Sequence, residues 1–192
     1  KCCGAMASHD PRPPAREPAF NLPPVVVQLL AVLALIHAGR SLLSDYNDYV
    51  VMSWFAFVPA RLTLWLSPGR LDDVVGALAQ STVGQDVGDR LQLVQLLLAD
   101  GGVRLWTLLS YGFLHGSWLH LASNGLWLAA FGSPVARRLG RGRFLNLMAL
   151  ATIGGALLHW WSRELDVLPL VGASAGISGA TAAAIRFVFA PG

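Results

Sequence analysis

Charge is what this sequence is short of. Asp, Glu, Lys and Arg make up 13% of its 192 residues, against about 25% in a typical soluble domain, and the mean hydropathy is +0.52. That shortage excludes an ordinary water-facing surface and makes lipid the principal solvent. Cysteine is confined to Cys2 and Cys3, adjacent near the terminus, where they cannot staple a fold. Acidic residues are absent from each of four apolar runs, at about 24–43, 118–134, 144–161 and 171–190. Without them those runs lack the His/Cys/carboxylate set that zinc uses, and no metal or other cofactor is implied. The net charge of +3 calls for no nucleic acid, because the arginines gather at the ends of apolar runs. No repeat of 20–50 residues is visible.

Four runs of that length and polarity predict an all-α, multi-pass membrane protein, since a spanning helix needs about 20 apolar residues. The first run lacks a small-residue cleavage site and reads as a retained helix rather than a signal peptide. Residues 1–23 are polar and rich in proline, which predicts a disordered tail; Met6 reads as the start, with residues 1–5 upstream of it. Residues 44–104 carry seven aspartates together with Trp54, Phe55, Phe57 and Trp65. That mixture suits either amphipathic helices lying in the membrane interface or a small folded loop outside the bilayer.

Arg137, Arg138, Arg141 and Arg143 crowd into SPVARRLGRGR, between the second and third runs. By the positive-inside rule this short loop and the N-terminal tail are cytoplasmic, and the 44–104 and 162–169 loops are external.

Polar groups interrupt the second and fourth runs. His120 and Asn124 are four residues apart and share one face of one helix. An unpaired polar group in hydrocarbon costs several kcal/mol, so both must face the bundle or a wet cavity. They are functional candidates, or else two helix-bridging hydrogen-bonders. In the fourth run Gly172, Gly176, Ala180 and Ala184 leave one side nearly bare, a stripe that permits close helix packing. Packing does not explain Ser174, placed at the first turn near the positive end of the helix dipole. A nucleophilic hydroxyl would gain from that field, and nearby donors could hold an oxyanion.

FLHGSWLHLASN, an apolar helix ending in Phe131-Gly132, the basic stretch, and G-x-S at a later helix start together resemble the rhomboid intramembrane serine proteases. The resemblance runs from about Leu105 to Ala190, and WFAFVPAR (54–61) looks like the first external loop of bacterial members. It implies a six-helix rhomboid bundle, of which four helices are present. It also implies a bacterial inner-membrane location and cleavage of transmembrane protein substrates near the external face.

Ser174 matches the family's nucleophile, although Ala175 stands where a glycine usually follows. Ser178, within Gly176-Ile177-Ser178-Gly179, fits the literal G-x-S-G pattern and is the alternative, about 6 Å deeper along the helix. His120 and Asn124 match the pair that stabilises the oxyanion, and His115 matches a further, structural histidine.

One element of the family pattern is missing. Rhomboids activate the serine with a histidine on the sixth helix, and no histidine follows Ser174 here. His9, His37 and His159 are poor substitutes, lying in the tail, in the first helix and beside the interfacial Trp160 and Trp161. Without a general base the hydroxyl is a weak nucleophile. The expectation is a sequence truncated after the fourth helix and inactive by itself. A rhomboid-like pseudoprotease that binds transmembrane segments is the competing reading. An unrelated transporter subunit is a third, though transport needs no G-x-S motif.

Overall fold

The computed structural model describes residues 22–80 and 102–189. The tail expected over 1–23 lies outside the described residues except for its last two positions, as do Asp86, Asp89 and Asp100. Every regular element among the described residues is helical, and one antiparallel bridge joins Phe57 to Leu170.

Helix α1 spans Pro24–Arg40 and opens on proline, whose missing N–H is no loss in a first turn. It closes at Arg40, short of the 43 read from the sequence, and residues 41–43 form a turn. Next come α2 (Asp45–Phe55), α3 (Pro59–Leu66) and α4 (Leu71–Gln80). Ser44 caps α2, and Asp45 and Asp48 sit in its first turn, where the helix dipole favours negative charge.

These three short helices make up the described part of the 44–104 region as far as Gln80. They fold around a small core of Val58, Ala60, Val74 and Leu78, which Val167 joins from the loop ahead of the last helix. Outside it, Trp54, Phe55, Trp65 and Leu66 remain exposed. The buried Arg104 ties this unit to the rest: its guanidinium lies 3.9 Å over the Trp54 ring and donates to the Ser53 carbonyl at 2.7 Å.

A single turn, α5 (Thr107–Ser110), precedes α6 (Trp118–Trp127), which runs through a wide π-turn (Leu128–Gly132) into α7 (Ser133–Leu139). The basic stretch is therefore not a loop. It is mostly helix, and Gly140, at φ 77°, supplies the break before α8 (Arg141–Ser162). Pro134 has no N–H for the carbonyl four residues back, and the wide turn just ahead of it lets the helix continue across that gap.

The last helix is α9 (Ser174–Phe189). Among the described residues α8 alone is long and apolar enough to cross a membrane by itself; α1 and α9 are shorter apolar helices.

The closest helix pairing is α8 with α9. A β-carbon on Gly155 would collide with the Ala175 methyl, one on Gly179 with Ala151, and one on Gly176 would lie 2.8 Å from Thr152 Oγ1. The bare stripe is thus used for close approach, but in a different register from the one read in sequence. Ala175, Gly176 and Gly179 face α8, whereas Gly172 precedes the helix and packs elsewhere. Between helices in lipid the gain is dispersion and fit rather than water release, which makes small residues the effective ones. Val26, Leu33, Leu121, Leu128, Phe144, Ile177 and Ala180 complete the core where α1, the second run, α8 and α9 meet.

Candidate active site

Ser117 starts the site. Its hydroxyl accepts the backbone N–H of His120 at 3.1 Å, capping α6, a bond of the kind worth about 1 kcal/mol. The cap fixes where the helix begins and so where its residues point. His120 is half-buried and Asn124, one turn on, is buried. Asn124 Nδ2 has no hydrogen-bond partner among the described residues. Leaving a buried donor unpaired costs about 1–3 kcal/mol, so this amide is held ready for an acceptor.

The opposite wall is the strand-like approach to α9. Thr63 Oγ1 donates to the Glu164 carbonyl at 2.6 Å, and the Ala60 N–H donates to the Asp166 carbonyl at 3.0 Å. Phe57 and Leu170 exchange two backbone bonds, 3.3 and 2.7 Å long. The Gly172 N–H then donates to the Tyr111 carbonyl at 3.0 Å. Tyr111 is itself buried, its hydroxyl donating to the Thr152 carbonyl at 2.8 Å.

Gly172 lands against the α6 pair. A β-carbon there would be 2.8 Å from both Cε1 and Nε2 of His120 and 3.5 Å from Asn124 Nδ2, and φ is 120°, so glycine alone fits. Two residues later Ser174 opens α9, exposed, with Ser178 exposed on the same face one turn below. The geometry thus seats Gly172, two residues before Ser174, on His120 and Asn124.

The remaining histidines sort differently. His115 is fully buried, with its ring 5.1 Å from that of His120 in a T-shaped contact. Burial foremost, then the neighbouring His120 and His37, push its imidazole down to about 4, so it is neutral near pH 7. His37 is buried in the last turn of α1, its ring 4.6 Å from Trp118. His159 stays near the end of α8. Its neighbour Trp160 donates to Thr63 Oγ1 at 2.8 Å and packs inward, leaving Trp161 as the exposed ring.

A family model described as Rhomboid domain matches residues 103–190. Over that span the chain is similar to the rhomboid family. His115, His120, Asn124, Ser174 and Ser178 all fall inside the rhomboid match, while α1–α4 lie before it.

The curated relatives agree. The chain is 36% identical over 90 residues to Rhomboid protein 1, mitochondrial, of Saccharomyces cerevisiae, covering 47% of this chain and 26% of that protein. It is 36% identical over 75 residues to Rhomboid protease GlpG of Serratia proteamaculans, covering 39% of this chain and 26% of that one. RHOMBOID-like protein 5 of Arabidopsis thaliana is 28% identical over 177 residues, 88% of this chain and 54% of its own. The chain thus spans between a quarter and just over half of these relatives. They come from a yeast, a bacterium and a plant, so they single out no bacterial type. No solved structure matches significantly.

Some of what builds the site carried no sequence signal. Gly172 was read as part of a packing stripe, and its contact with His120 depends on a loop conformation. The Phe57–Leu170 bridge joins positions 113 residues apart by number, and nothing in WFAFVPAR marks Leu170 as the partner of Phe57.

Proposed function

We propose that this chain is part of an intramembrane serine endopeptidase that cuts transmembrane proteins near the external membrane face. What supports the reading is one juxtaposition: Gly172 seated on His120 and Asn124, two residues before Ser174. In the proposed reaction Ser174 Oγ bonds to the scissile carbonyl carbon and its proton passes to a general base. The oxygen that becomes negative is met by Asn124 Nδ2 and the His120 imidazole, donors placed before the charge develops. Collapse breaks the C–N bond, the amine leaves with a proton, and water then hydrolyses the acyl-serine ester.

No histidine follows Ser174 in these residues, so the reading leaves the general base unassigned among them. It also takes the chain as four of six spanning helices, with the N-terminal tail and the arginines at 137–143 cytoplasmic in a bacterial inner membrane. A second reading is a rhomboid-like protein that holds transmembrane segments without cutting them, against which stands the retention of Ser174, His120 and Asn124.

Reporter cleavage in membranes containing the full gene product separates the two. The protease reading expects cleavage that Ser174→Ala abolishes and Ser178→Ala leaves within a few-fold. Capture of the intact reporter without cleavage supports the binder.

A further inference from the structure

We propose that Arg40 is a positioning residue for the His120–Asn124 pair, acting with Asp48 through the main chain of His115; this rests on the site described above. Arg40 ends α1, and its side chain is only 11% exposed. Its planar fork holds both carboxylate oxygens of Asp48, Nε to Oδ1 at 2.7 Å and Nη2 to Oδ2 at 2.9 Å. The remaining arm, Nη1, donates to the His115 carbonyl at 2.9 Å. One guanidinium thus joins the end of α1, the start of α2 and the turn that leads into α6.

Gly116 follows His115, no described atom lies within 4 Å of where its β-carbon would be, and the helix begins only at Trp118. A glycine with free space on its side-chain side has many conformations open to it. The carbonyl of His115 precedes α6, and Arg40 is what it accepts from. Three residues before Arg40, His37 presses edgewise on Trp118, so the last turn of α1 grips the first turn of α6 at a second point. If the His115 carbonyl drifts, Ser117 and the His120 N–H it caps drift with it. His120 and Asn124 then turn relative to Gly172.

Arg40→Lys isolates the effect. A single ammonium keeps the charge opposite Asp48 but cannot span both carboxylate oxygens and a separate carbonyl. In membranes containing the full gene product, Arg40→Met is expected to lower kcat for reporter cleavage by roughly 10- to 100-fold, with KM within a few-fold, the signature of misplaced groups. Arg40→Lys is expected to keep the wild-type Tm while kcat stays depressed. A Lys variant restoring kcat together with Tm would show a merely structural ion pair and overturn the proposal.

Diethylpyrocarbonate mapping gives a readout independent of cleavage. His115 and His120 should be modified several-fold faster in both variants than in the wild type. Unchanged modification overturns the positioning role whatever the cleavage result. A wild type that cuts nothing, with faster modification in the variants, sinks the protease reading and leaves the clamp standing.

Discussion

Gly172 and His120 are in contact so close that no side chain fits between them: a β-carbon at 172 would be 2.8 Å from the imidazole Cε1 and Nε2. This contact seats the loop before α9 against the first turns of α6.

Gly172→Ala should therefore do two kinds of harm. The backbone at φ 120° is strained for any L side chain, at a cost of order 1–3 kcal/mol, and the methyl displaces His120. Expected outcomes are a lowered Tm and a loss of cleavage larger than that fall in Tm explains. Thermal unfolding and single-turnover cleavage on the same preparation check both.

Asn124 should separate function from stability. Its Nδ2 is buried and has no partner among the described residues, so Asn124→Ala gives up no hydrogen bond to them through that atom. If the amide stabilises an oxyanion, kcat falls by about 10²- to 10³-fold, while Tm moves little. Cleavage kinetics beside a thermal melt decide it.

The α8–α9 contact predicts a compensating pair. Gly155→Ala sets one methyl against that of Ala175 and should destabilise by about 1–3 kcal/mol. Adding Ala175→Gly removes the opposing methyl and should recover most of the loss. The coupling is read by double-mutant cycle from unfolding in detergent.

Acid should loosen the site through His115. Its folded-state pKa, about 4, lies below the usual imidazole value of 6.5. The unfolded chain therefore takes up a proton first. The contribution of the neutral ring is complete above about pH 6.5 and is lost as pH falls toward 4. Tm measured from pH 7 to 4 should drop, and His115→Gln should flatten that slope.

The candidate residues are more legible in the sequence than the architecture is. His120, Asn124 and Ser174 stand out because polar groups in apolar runs need a reason, and helical spacing puts the first two on one face. The α8–α9 approach was foreshadowed by small residues, yet its register was not: which of Gly172, Gly176 and Gly179 faces α8 depends on where α9 begins. The arginines at 137–143 read as a loop because they cluster between two apolar runs. A π-turn, which leaves no mark in composition, carried the helix on to Leu139. Arg40 was hidden for another reason, since its partners are a carboxylate across a turn and a backbone carbonyl 75 residues away.

Adduct mapping is the most direct measurement. The full gene product in its membrane is treated with a fluorophosphonate that phosphonylates activated serines, and the modified residue is located by peptide mass spectrometry. The account predicts the adduct on Ser174, formed far more slowly when Asn124 or His120 is replaced by alanine. An adduct on Ser178, or one on Ser174 whose rate ignores both replacements, would contradict it.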